Sequence, residues 1–231
     1  MSQPTKEPHA HLYSRLDSDL QKLKQQVVTM GHEVDAQVMR AIDAFVQRDA
    51  VQAELVVAGD KLVNDLERDI DERCVLALAL LQPEASDLRF VAAVLKIVTD
   101  LERIGDFAVN IAKSVHSLTP AKLASERDLV PLSQAALSVL RRALDAFVRR
   151  DIAEAQQTAT ADLPVTLALL ELGRALRDEI RREPQALETA LAALFVTKYL
   201  ERIAEHSTNV AEMALYTERG EDIRHLVEHK G

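Results

Sequence analysis

AIDAFVQRD (residues 41–49) returns as ALDAFVRRD (143–151), and LERIGDFAVNIAK (101–113) returns as LERIAEHSTNVAE (200–212). The first pair is offset by 102 residues (41 to 143), the second by 99 (101 to 200). The order is kept, so the chain reads as one unit written twice, with an insertion or deletion of about three residues between the copies. Shared charged and polar positions separate this repeat from a chance likeness of two Ala/Leu-rich helices.

Outward from these stretches the rhythm is helical. Leu16, Leu20, Leu23, Val27, Met30, Val34, Val38, Ile42 and Phe45 recur three or four apart, as one stripe of a long amphipathic helix requires. Gly31 interrupts it at a cost of about 1 kcal/mol relative to Ala. A second helix is expected over 50–81 after a tight polar connection, and Pro83 ends it. A third is expected from Asp87 to Ser117, a fourth up to Arg149, a fifth over 151–182 kinked at Pro164, and a sixth over 185–217. No alternating Val/Ile/Tyr run bounded by turn residues suggests a strand. The expected fold is all-α, with six long antiparallel helices in two tandem three-helix bundles. A disordered arm is expected over 1–11, the first bundle over 12–118 and the second over 119–231.

Composition narrows the function. The 231 residues are 48% hydrophobic and 28% charged, with 6 Gly and 7 Pro, which is enough apolar material for one sizeable core or for two smaller ones. A net charge of −9 disfavours nucleic acid, whose phosphates need a basic field. No run of 18 apolar residues would cross a bilayer, and the N-terminus lacks the apolar segment of a signal peptide. One cysteine, Cys74, allows no internal disulfide and is expected as a packed core thiol. A cytoplasmic location is the expectation. No P-loop, GxSxG, Cys/His cluster or Gly-rich phosphate cradle is present, and the histidines are scattered.

The chemistry is expected in the repeated motif. On a wheel of the third helix, Val94, Ile97, Leu101, Ile104, Ala108 and Ile111 share one face, while Glu102, Asp106 and Asn110 form a separate stripe. Glu201, Glu205 and Asn209 repeat that stripe in the sixth. Like charges at i and i+4 repel by a few tenths of a kcal/mol, which invites a cation with oxygen ligands. The plainer reading is a solvated face with Arg103–Asp106 and Arg202–Glu205 ion pairs. His206 is a possible further ligand, although its counterpart is Phe107.

DLERIGDFAVNIAK (100–113) and YLERIAEHSTNVAE (199–212) resemble the paired signatures of the PhoU family, the bacterial phosphate-uptake regulators. PEASDLR (83–89), GDKLVNDLE (59–67) and GEDIRH (220–225) resemble further family segments, so the likeness covers roughly residues 12–225. It implies a non-enzymatic cytoplasmic regulator of two side-by-side bundles, often a homodimer. Such a protein works between the phosphate ABC transporter, through its ATPase subunit, and the phosphate-sensing histidine kinase. It meets the membrane only through these partners, and it restrains uptake and the starvation response when phosphate is plentiful. The resemblance also implies a surface metal, iron, zinc or another divalent ion, at Glu102, Asp106, Glu201 and Glu205. The chain departs from the family pattern at Phe107, Glu205, Asn64 and Thr166. Two other classes of function compete with this one. A metal-dependent bundle enzyme would need Glu-x-x-His ligands facing the core, and none occurs here. A plain helical scaffold or oligomerisation module is compatible with the periodicity.

Overall fold

The computed structural model describes residues 7–81 and 85–220, with side chains from Leu16 to Ala79 and from Ala85 to Gly220. The expected break at Pro83, residues 1–6 of the expected arm and the 221–231 tail lie outside the described residues. Seven helices follow in order: α1 Glu7–Gln47, α2 Ala50–Leu81, α3 Ala85–Lys113, α4 Leu129–Arg149, α5 Ile152–Thr158, α6 Asp162–Arg182 and α7 Leu187–Arg219. No strand occurs among the described residues. Two expectations shift. Helix α1 already begins at Glu7, inside the stretch expected as an arm, and the third helix ends at Lys113 in a 3₁₀ turn over Ser114–Ser117.

The larger correction is the fifth helix, which is broken rather than kinked. Pro164 has no N–H to donate to the Thr160 carbonyl, and its ring crowds that carbonyl. The chain therefore stops at Thr158 and restarts at Asp162, placing Pro164 in the first turn of α6, where the donor is not missed. The counterpart in α2 is Leu62, and α2 runs through unbroken.

Burial follows the duplication. Ala53, Val56, Val63, Ile70 and Cys74 of α2 are buried, and so are their counterparts Ala155, Thr158, Val165, Leu172 and Leu176. Helices α1–α3 pack on one another, as do α4–α7, and α3 against α7 forms the main seam between the bundles, with α1 against α4 beside it. Val94, Ile97, Leu101, Ile104, Ala108 and Ile111 are fully buried, as the wheel requires. Gly31 sits on the α1–α4 seam, where a Cβ would lie 2.3 Å from Leu144 Cδ1, so close helix approach explains a glycine in mid-helix.

The repeated Arg-Asp makes both tight turns. Arg48 (φ 60°) and Arg150 (φ 56°) take the left-handed conformation that closes a helix. Asp49 and Asp151 donate their backbone N–H to Ala44 and Ala146. Their side chains accept from the N–H of Gln52 and Glu154, capping the next helix. Arg48 does more than its twin. Its guanidinium donates to the carbonyls of Thr119 (2.6 Å) and Ala121 (2.9 Å) and to both oxygens of Glu126 (2.9 and 3.0 Å). Glu179 of α6 grips the same linker by accepting from the N–H groups of Ala124 and Ser125.

Candidate functional site

Glu102 and Asp106 stand one turn apart on α3 and share Arg103, at 3.8 and 3.5 Å. Helix α2 brings its own polar stripe alongside: Asp60, Asn64, Glu67 and Asp71, at i, i+4, i+7 and i+11. Gly105 helps this approach, because a Cβ there would meet Val63 Cγ1 at 3.2 Å. Asp60 is held by Asn64 Nδ2 (3.0 Å) and Gln37 Nε2 (3.3 Å). The crowding shows in the acidities. Glu102 is raised above the ordinary carboxylate range by burial first, then by the charges of Asp106 and Glu67. Glu67 is raised by burial and by Asp71, and Asp71 by burial. A partly desolvated group of like charges favours an approaching cation or basic surface.

The second copy is different. Glu201 pairs with Lys198 and Glu205 with Arg202, each three residues away. At the α6 positions matching Asn64, Glu67 and Asp71 stand Thr166, Leu169 and Gly173, so only Asp162 keeps its acid. The duplication has thus left one acidic face and one neutralised one. The four acids expected as metal ligands lie on two helices, Glu102 and Asp106 sharing Arg103, and Glu201 and Glu205 beside Lys198 and Arg202. Among the described residues, no three His, Cys, Asp or Glu side chains converge to hold one ion. As placed, these acids are engaged by neighbouring cations rather than gathered round one ion.

The seam between α3 and α7 carries a contrast that the wheels did not show. His206 Nδ1 lies 2.7 Å from Asp100 Oδ1, and Asn209 Nδ2 donates to the same oxygen at 3.1 Å. His206, the possible further ligand, is therefore a hydrogen-bonded residue of the seam. The symmetry-related pair is Phe107 and Tyr199, whose rings stack with centroids 6.0 Å apart. A cavity of about 930 Å³ opens beside the polar end, bounded by Lys96, Asp100, Asp162, Leu163, Glu205 and Met213. The break before α6 forms part of its rim. Asp60, Glu67 and Asp71 were missed as members of the acidic face, although their spacing along α2 could have revealed them.

Comparison with known proteins follows the same halves. The family described as PhoU domain matches residues 27–115 and 129–214. A relative from Burkholderia sp, named phosphate-specific transport system accessory protein PhoU homolog, is 38% identical over 220 residues, 94% of each chain. The Escherichia coli (strain K12) protein named phosphate-specific transport system accessory protein PhoU is 34% identical over 217 residues, covering 94% of this chain and 90% of its own. The crystal structure of the phosphate transport system regulatory protein PhoU from Streptococcus pneumoniae superposes with a TM-score of 0.83 at 30% identity, over 90% of this chain and 98% of that one.

Proposed function

The chain belongs to the PhoU family, and from that premise we propose that it is a non-enzymatic accessory protein of phosphate transport. In this reading it is a cytoplasmic adaptor between the ATPase subunit of the phosphate transporter and the phosphate-sensing histidine kinase. It holds uptake and the starvation response down when phosphate is plentiful. The observation that supports the reading is likeness over nearly the full length of relatives named as accessory proteins of the phosphate-specific transport system. The acidic face of α2 and α3 supports it as a surface suited to a basic partner, and the absence of any helix among the described residues able to cross a membrane agrees with work through partners. A homodimer belongs to the reading as well. So do divalent ions at the pairs Glu102–Asp106 and Glu201–Glu205, which would require Arg103, Lys198 and Arg202 to swing aside. No part of the adaptor role depends on those ions.

Deletion of the gene tests the proposal. A phosphate-starvation reporter should then be expressed in phosphate-rich medium, and the intact gene should silence it. Silencing by a folded variant carrying Glu102→Gln and Asp106→Asn should be impaired if the acidic face is a contact surface. A reporter indifferent to deletion would leave the fold without this role.

A further inference from the structure

The duplication supplies its own control for what each surface position needs. On α6, Leu163, Leu167 and Leu170 are 61, 55 and 53% exposed. Their counterparts on α2 are Lys61, Asp65 and Arg68, and the last two form an ion pair. Phe195 of α7 is 60% exposed, and its counterpart on α3 is Lys96. The bundle therefore folds with charge at all four positions, and core packing does not call for the apolar residues in the second copy. Leaving them in water forgoes their burial, which makes a contiguous patch of this kind a mark of an interaction surface.

The patch has a shape and a charge. Arg174 and Arg177 continue the i, i+4, i+7 spacing of the leucines to i+11 and i+14, so one stripe runs from apolar to basic along α6. A shallow groove of about 150 Å³ between α6 and α7 is lined by Leu170, Gly173, Arg177, Leu194, Lys198 and Glu201. Leu191 and Phe195 are further exposed apolar residues of α7. Arg181, Lys198 and Arg202 have carboxylate partners, whereas Arg174 and Arg177 have none among the described residues.

We propose that the outer face of α6 and α7 is a docking groove for an amphipathic helix of a partner protein, with an apolar stripe and acidic residues toward one end. The span from Leu163 to Arg177 is about 21 Å at 1.5 Å per residue, matching about four turns of such a helix. Apolar anchors in a groove, with two unpaired guanidinium groups beside them, select apolar-acidic chemistry. An anionic membrane suits the face less, because the chain as a whole carries a net charge of −9 and is repelled by it. The inference rests on the adaptor reading and adds where the contact is made.

The test titrates the full-length protein with the purified ATPase subunit of the phosphate transporter and, separately, with the cytoplasmic region of the histidine kinase. One variant copies the first bundle's own residues onto the second, Leu163→Lys, Leu167→Asp and Leu170→Arg. A second reverses charge, Arg174→Glu and Arg177→Glu. The expected result is binding by the natural chain to one of the two proteins, weakened at least tenfold by each variant, with a shallower salt dependence for the second. Unchanged binding by both variants overturns the groove and leaves the adaptor reading standing. Failure of the natural chain to bind either protein overturns both. Loss of self-association in sedimentation, or of flotation with anionic phosphatidylserine vesicles, as the only effect of the leucine substitutions would assign the face to a second copy or to lipid, and would equally overturn the proposal.

Discussion

Replacing Arg48 by glycine, with Arg150→Gly as its twin, separates backbone strain from a buried ion pair. Both arginines hold the left-handed conformation, at φ 60° and 56°. A non-glycine residue gives up about 1 kcal/mol there, so glycine gains up to that amount at either turn. Arg150 has little to lose. Its side chain is 67% exposed and its Glu218 contact is 3.5 Å, a geometry that contributes about 0–1 kcal/mol. Arg150→Gly should therefore be neutral or raise stability slightly. Arg48 and Glu126 are 18% and 7% exposed. Removing the guanidinium leaves the Glu126 carboxylate with the Leu123 N–H as its remaining bond, and two linker carbonyls lose their donor. Breaking a buried pair costs about 3–5 kcal/mol. With the turn's own gain set against the lower end, Arg48→Gly should lose about 2 kcal/mol, and the two variants should differ by about 3 kcal/mol. In a chain of this length that is a gap of roughly 6–12 °C in Tm. Urea unfolding followed by circular dichroism measures it. A difference below about 1 kcal/mol would refute the claim that Arg48 fastens the linker between the bundles.

Three further outcomes are expected. Glu102 has a raised pKa in the folded state, from burial first and then from the charges of Asp106 and Glu67, so its ionisation works against the fold. That part of the stability is present below the ordinary glutamate range, about pH 4.3, and is lost as pH rises through the folded value. Glu102→Gln should accordingly be more stable than the natural chain at pH 7, with the gap closing near pH 4; a gap that widens on acidification contradicts the crowding. Burial pushes the Cys74 thiol up to about 12, so a thiol reagent such as dithionitrobenzoate should label it only on unfolding, and rapid labelling of the native protein would contradict its burial. Gly31→Ala gains helix propensity of about 1 kcal/mol and meets Leu144, with overpacking of about 1–3 kcal/mol. The net should be a loss that Leu144→Ala partly relieves, and additive effects in the double variant would place the contact elsewhere.

Repetition and periodicity made the fold legible. The nine apolar residues picked out along α1 lie on its inward side, and eight of them are buried, Leu20 being half-buried. Both tight turns fall at the repeated Arg-Asp. What escaped was mostly a matter of distance or context. The break before α6 depends on one missing donor at Pro164, and a pattern of apolar spacings carries through such a gap undisturbed. The Arg48–Glu126 bond joins residues 78 positions apart. Asp100, His206 and Asn209 meet only because α3 and α7 run antiparallel side by side. The Arg103–Asp106 and Arg202–Glu205 pairs, by contrast, were readable because both partners belong to one helical turn. The acidic face was half legible: its α3 members lie in the repeated motif, whereas its α2 members acquire meaning only when the two helices are laid together.

The interruption between α5 and α6 also has a mechanical side. In the first bundle α2 is a continuous strut of 32 residues, about 48 Å long at 1.5 Å per residue. Its equivalent in the second bundle is two shorter lengths meeting at a joint. Bending a continuous helix strains every hydrogen bond along the bend, whereas a joint yields at a few backbone torsions. Two arms of common ancestry thus differ in compliance. A body that grips the first bundle pushes on a stiff rod, and one that grips the second pushes on a hinged one, so strain passed along the molecule collects at Ala159–Ala161.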